Sequence, residues 1–349
     1  MTIDNSTSNQ NIVTRLTILW AFSEAALGGI LHAFKIPFTG LVIGGSATIF
    51  ISLIAYFAES RNEIIKATIK VLLVKFVASP YSPLTAYFAV MLQGVLGNIL
   101  FYKGFNGVSP ILLGFLSLLL SAIQKIFILT LVFGVSLWES INIFFEFILS
   151  EVLGFTNASD YVDLSYLIIG AYIILHIFGG IMAGIYALSI PSKIKAAINE
   201  KEYLKVPISK ELIGRKKKRK KWWYRPSSLI LIIFSVILIS LSFMFENLGY
   251  GVAQKVIFML LRSVIIIVVW FYLISPVLLK FVKNILSKKL KHQADEIENI
   301  INIFPNVRAI IKLSWSQSSK LKGISRMVEF INLVLINFLI LDYEILKHD

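Results

Sequence analysis

An all-α integral membrane protein is what this sequence predicts: a six-helix bundle, then two or three further membrane helices with cytoplasmic amphipathic helices. Three observations carry that expectation. Hydrophobic residues make up 57% of the chain and charged residues only 15%, whereas soluble proteins carry roughly 25% charged residues. The apolar residues gather into runs close to the ~20 residues that cross a bilayer as a helix. The third is charge placement: 23 of the 34 Lys/Arg residues lie in two segments, 13 in 191–227 and 10 in 280–326, leaving the apolar runs almost free of them.

That placement explains the net charge of +14 as membrane topology rather than nucleic-acid binding, and no nucleic-acid partner is expected. Cysteine is absent, which excludes disulfides, thiol chemistry and cysteine metal sites. The polar stretch Met1–Thr14 lacks the charged start of a secretory signal, and no small-residue cleavage site follows the first apolar run. That run is therefore read as a retained helix.

Six spans follow in order. The first two are Leu16–Phe34 and Gly40–Ala58. The third, Ile64–Ala78, carries Lys66, Lys70 and Lys75, read as snorkelling lysines or as a shallow amphipathic segment. Ser79-Pro80-Tyr81-Ser82-Pro83 ends it, since closely spaced prolines cannot continue a helix. The fourth is Leu84–Tyr102 and the fifth Val108–Leu137. Trp138–Phe155 is amphipathic and lies at an interface. The sixth, Leu164–Ile190, ends at Pro191.

Loop charges orient the chain. The run Arg215–Lys221 belongs on the cytoplasmic side. The loop 138–163 holds Glu139, Glu146, Glu151, Asp160 and Asp163 without Lys or Arg, so it belongs outside. Lys35 falls outside against the trend. Multi-pass residence in a cell membrane, bacterial and cytoplasmic, is the expectation. Trp222, Trp223 and Tyr224 abut the basic run, a combination that anchors on anionic membrane lipids.

Beyond the basic segment, Ser228–Phe245 and Val256–Leu279 read as two spans. Leu286, Leu290, Ala294, Ile297, Ile301 and Phe304 then recur at helical spacing and form one apolar stripe. Pro305 ends or bends that helix. Val307–Lys322 and the apolar run Met327–Leu341 follow. The domain division is a membrane module at 1–190, a basic cytoplasmic linker at 191–227, and a membrane hairpin with amphipathic helices at 228–349.

No phosphate-binding loop of the Gly-x-x-x-x-Gly-Lys-Ser/Thr type and no Gly-x-Ser-x-Gly elbow occurs, and His32, His176, His292 and His348 have no metal-ligand spacing. Neither an enzyme nor a cofactor is expected. Polar residues inside apolar spans say more, because lipid penalises them unless they are paired or line a cavity. They are Glu24 and His32 in the first span, Gln93 and Asn98 in the fourth, Gln124 and Lys125 in the fifth and His176 in the sixth. Glu24 and Lys125 either serve a substrate cavity or neutralise one another. Ala21-x-x-x-Ala25 and Ala25-x-x-x-Gly29 place small side chains on one face of the first helix, where another helix can approach closely.

With those features in view, residues 15–190 resemble the substrate-binding S component of energy-coupling factor (ECF) vitamin transporters. Six spans, both ends inside, the Ala-x-x-x-Ala face and the Pro-bearing outer loops Ile36-Pro37-Phe38 and 79–83 carry the resemblance. It implies capture of a small-molecule substrate at the outer face, with import driven by partner ATPase and T-component subunits. It also implies helix docking through Ala21, Ala25 and Gly29, and substrate contact by Pro37, Tyr81, Tyr87, Gln93, Trp138 and His176. The C-terminal unit is similar in plan to part of a T component, without that family's Ala-Arg-Gly signature. Two other classes fit the same residues. One is a membrane scaffold that recruits a partner through its basic region. The other is a lipid-acting enzyme built on Glu24, His32 and His176.

Overall fold

A computed structural model describes residues 5–33, 38–60, 62–79, 82–152, 163–199 and 275–340, with a few positions between 254 and 269. Among the described residues the fold is helical and contains no strand. The elements are α1 (Asn5–Phe22), a π-helical turn (Ser23–Leu27), α2 (Gly28–Ala33), α3 (Thr39–Phe57), α4 (Glu63–Ala78), α5 (Leu84–Leu100) and α6 (Ser109–Phe133). There follow α7 (Ser136–Phe147), a second π turn (Ile148–Val152), α8 (Leu164–Asn199), α9 (Ser275–Asn302), α10 (Phe304–Gln317) and α11 (Gly323–Ile340). Three of these, α3, α6 and α8, are long and apolar enough to cross a membrane, and α5 is a shorter apolar helix. The basic run Arg215–Lys221 and the span Ser228–Phe245 lie outside the described residues, as does most of Val256–Leu279.

The helices correspond to the expected segments, with four differences. The first helix begins at Asn5 rather than near Leu16. Gly134, at φ 80°, stops α6 short of Leu137. Only glycine adopts that left-handed geometry without strain, and its N–H still closes on the Thr130 carbonyl at 2.8 Å. At the other end of the module, α8 runs straight through Pro191 to Asn199, some 54 Å of helix at 1.5 Å per residue. The hydroxyls of Ser189 and Ser192 donate to the carbonyls of Tyr186 and Ser189. Such side-chain bonds let a helix tolerate proline. In α9 the apolar stripe breaks phase: Gln293 has non-helical φ −130° and ψ 17°. Ile297, Ile300 and Phe304 are buried while Ala294 is exposed. The side chains of Leu286 and Leu290 lie outside the described residues. Pro305 opens α10 at its first turn, where its missing N–H costs no helical bond.

The chain divides into two compact units, and their boundaries run differently from the sequence-based division. Among the described residues, one unit collects 5–118, 178–199 and 284–340, and the other 119–177 with the described positions up to 283. In the first unit α1 is the central element. Leu16, Ile18, Leu19, Trp20, Ala21 and Phe22 are all buried, so the second half of the helix is covered on every side, as an all-round apolar stretch must be, while Gln10, Asn11 and Thr14 of its first half are exposed. It packs on α3, α4, α10 and α11. Phe22 meets Phe304 edge to face at 5.1 Å. The Arg15 guanidinium donates to the carbonyls of Phe338 and Leu339, at 3.3 and 2.6 Å. Those carbonyls lie in the last described turn of α11, and the terminal carbonyls of a helix take side-chain donors of this kind. In the second unit Asn142 of α7 starts α8: its amide donates to Asp163 and its carbonyl oxygen accepts from the Ser165 N–H at 2.8 Å.

Glycines set the closest approaches within the first unit. A Cβ built on Gly114 of α6 would stand 2.0 Å from the Gly180 carbonyl oxygen of α8, and one on Gly184 2.5 Å from the Pro110 carbonyl oxygen and the Ile111 Cα. Gly180-Ile181-Met182-Ala183-Gly184 is thus a Gly-x-x-x-Gly face in use. On the same helix a Cβ on Gly170 meets nothing. Gly184→Ala is expected to destabilise the detergent-solubilised protein by ~1–3 kcal/mol through overpacking. Gly170→Ala is expected to be neutral or to stabilise by up to ~1 kcal/mol, since alanine suits a helix better than glycine. Thermal unfolding of both variants checks the split in sign.

Candidate functional site

Two charged residues of the apolar segments, Glu24 and Lys75, meet in a buried pair. Glu24 lies in the π turn that interrupts the first helix, where the Gly28 N–H bonds back to the Ser23 carbonyl. Turns of this kind recur at functional positions. The Glu24 carboxylate accepts from Lys75 Nζ at 2.7 Å, and both side chains are only 2% exposed. The sequence paired Glu24 with Lys125 as one of two options. The structure pairs it with Lys75 and leaves Lys125 exposed on α6.

Helical phase on α4 explains the choice. Lys66 and Lys70 are four residues apart and share a face; Lys75 is nine residues from Lys66, half a helical revolution away at 100° per residue. Each lysine meets a carboxylate in its own direction. Lys66 pairs with Glu63 at 2.7 Å on the surface, Lys70 with Glu296 of α9 at 2.5 Å, and Lys75 with Glu24. Lys75 thus does not snorkel; it points inward.

Hydroxyls extend the polar seam on both sides of the pair. Ser23 Oγ and Ser46 Oγ of α3 lie 2.9 Å apart, and Ser46 donates to the Ile43 carbonyl. Just beyond α4, the Ser79 N–H donates to the Lys75 carbonyl, and Ser79 Oγ lies 2.9 Å from Ser82 Oγ. Tyr87 of α5 is buried and its hydroxyl donates to the Ser79 carbonyl at 3.5 Å. A Cβ on Gly29 would touch Ser79 Oγ at 3.4 Å, so the small-residue face of the first helix reaches this seam. Ala21 and Ala25 are themselves buried. The face expected to dock a partner helix is covered within this chain.

The expected substrate residues fall into separate groups. Pro37 and Tyr81 lie outside the described residues, and so does the side chain of His32. Tyr87 and Gln93 belong to α5 in the first unit. Gln93 is buried, with Nε2 only 3.3 Å from where a Gly44 Cβ would stand. Its Oε1 meets no donor among the described residues, an exception to the rule that buried polar atoms are bonded. Trp138 and His176 belong to the second unit. Trp138 of α7 donates its indole N–H to Thr130 Oγ1 at 2.9 Å. His176 is fully buried, with Nδ1 2.9 Å from the Tyr172 carbonyl and its ring 4.2 Å from the Tyr172 ring. A carbonyl only accepts, so Nδ1 carries the proton there.

Two features went unread in the sequence. Lys75 as the inward lysine was visible in the phase of the three α4 lysines. The Gly180/Gly184 face was visible as a Gly-x-x-x-Gly pattern, although Ala21/Ala25 was singled out instead. Among the described residues no group of histidines and carboxylates has the geometry to hold a metal ion. Comparison of the chain with family models, curated proteins and solved structures finds no match.

Removing one member of a buried ion pair leaves the other charge without compensation, at about 3–5 kcal/mol. Lys75→Met is accordingly expected to lower stability by that order in detergent. Lys125→Met, on an exposed position, is expected to stay within ~0.5 kcal/mol of the parent. Unfolding midpoints of the two variants, measured side by side, test the pairing.

Proposed function

We propose that this chain is a multi-pass membrane transport component of the ECF kind. It holds a small, vitamin-like polar molecule captured at the outer face, and partner ATPase and transmembrane subunits drive its release inward. In this reading 191–227 lies in the cytoplasm, as the loop charges require. The carrying observation is Gln93, an amide held inside apolar helices with one acceptor left open. Polar groups inside apolar helices are costly unless they are paired or line a cavity, and the open acceptor of Gln93 fits a cavity. Gln93 lies on the same helix as Tyr87, whose hydroxyl joins the seam around Glu24 and Lys75.

The covered Ala21/Ala25 face shifts one part of the family analogy. Because the chain itself buries those residues, partner subunits in this reading dock elsewhere. A membrane scaffold is the rival class, and ligand binding separates the two.

The test is a thermal-shift screen of the purified full chain against thiamine, riboflavin, biotin, pantothenate and related vitamins. A true ligand at a hundred times its dissociation constant adds about 2.7 kcal/mol of stability, which raises the unfolding midpoint by several degrees. Gln93→Leu should abolish that shift while the variant itself remains folded. A panel without any shift contradicts the carrier and favours the scaffold.

A further inference from the structure

We propose that the elbow between α10 and α11 is a lipid-binding wedge that seats on the anionic phospholipid surface of the bilayer. It rests on residence of the chain in a membrane, and it concerns a surface separate from the substrate seam.

The two helices use their inward faces fully. α10 buries Phe304, Val307, Ile310 and Ser314. α11 buries Asn332, Leu335, Asn337, Phe338 and Leu339, and the Asn337 amide donates to Ser314 Oγ at 3.1 Å and Gln317 Oε1 at 3.2 Å. The first turns of α11 are inverted by comparison: two buried asparagines lie further along, while apolar side chains face out at the start. Ile324, Met327 and Val328 stand at i, i+3 and i+4, the spacing of one helix face. Ile324 is 83% exposed, and Leu321 and Trp315 beside the turn are exposed as well. Gly323, at φ 59°, makes the sharp reversal that puts these residues at the tip.

The tip is rimmed with positive charge. Lys320 and Lys322 are exposed. The Arg326 guanidinium lies 4.0 Å from the Trp315 ring centroid, and Phe330 packs edge-on against the same ring at 5.2 Å. Trp315 is thereby fixed between a cation and a hydrocarbon neighbour. From 304 to 340 there are five basic residues, Arg308, Lys312, Lys320, Lys322 and Arg326, against the single acid Glu329.

Each part matches one layer of a bilayer surface. Small apolar side chains enter the acyl boundary, tryptophan sits at headgroup level, and lysines meet lipid phosphates. A protein partner fits less well. A stable protein interface needs roughly 20–30 residues a side, and the elbow offers five apolar side chains at a protruding turn.

Because the chain contains no cysteine, Ile324→Cys carries a nitroxide label at one defined place in the full-length protein. The labelled protein is reconstituted into vesicles of phosphatidylcholine alone, or with about one part in three phosphatidylglycerol to supply the anionic surface. In the anionic vesicles the label is expected to become accessible to dissolved oxygen and shielded from a water-soluble nickel chelate. Lys320→Glu with Lys322→Glu should reduce that shielding severalfold. Equal access of the nickel chelate in both vesicle types overturns the wedge. So does protection from both reagents, which marks burial against protein. Alkaline carbonate extraction keeps the two levels apart: a chain stripped from the vesicles contradicts membrane residence itself, whereas a retained chain with a water-exposed label contradicts the wedge alone.

Discussion

Removing a carboxylate and an ammonium from water costs several kcal/mol per ion even after relaxation, and the first unit does so at one point, where Glu24 meets Lys75 at 2.7 Å. Much of the local structure makes sense as a means of holding that pair. The helix carrying Glu24 is interrupted by the π turn Ser23–Leu27, and α4 ends at Ala78, within a turn of Lys75, with Ser79 closing on the Lys75 carbonyl. Serines flank both ends of the pair, and Tyr87 ties α5 to the same seam. An uncompensated charge here would be far more harmful than a missing methyl group elsewhere, so the pair ties the π turn after α1 to the end of α4.

Around this polar centre the packing is close and mostly apolar. Glycines on α6 and α8 let two backbones nearly touch, and the close approach gains dispersion contacts between them. Polar contacts from four side chains join the C-terminal helices to the same unit. Arg15 reaches the end of α11, Lys70 pairs with Glu296, and Tyr186 and Lys193 of α8 both donate to Asn332 of α11. The segment 284–340 is therefore an integral part of the first unit, and the basic, apolar-tipped elbow is among its exposed surfaces.

How far the sequence could be read varies with the range of the interaction. Helix positions follow from local patterning, and Glu24, Gln93 and His176 were singled out because polar residues stand out in apolar runs, whereas Tyr87 came only from the family resemblance. Pairing is a different matter. Glu24 and Lys75 are 51 residues apart, and only the tertiary arrangement decides between Lys75 and Lys125. Burial of Ala21 and Ala25 by this chain's own helices has the same origin: spacing shows that a face is small, never what covers it. The break at Gln293 and the continuation through Pro191 illustrate the opposite failure, in which packing and serine hydroxyls override a local preference. Pro37 and Tyr81, expected at the outer loops, lie outside the described residues.

The central claim is that one ion pair, Glu24 with Lys75, organises the first unit. Charge reversal tests it most directly. Glu24→Lys alone sets two ammonium groups together in a buried site, and Lys75→Glu alone sets two carboxylates together, so each single variant should be strongly destabilised or fail to fold. The double variant Glu24→Lys/Lys75→Glu restores one charge of each sign, and the coupling between neighbouring sites should recover a large part of the loss. Recovery of the unfolding midpoint and of monodisperse protein in detergent is the expected result. A double variant no better than the sum of the two single variants would contradict the pairing.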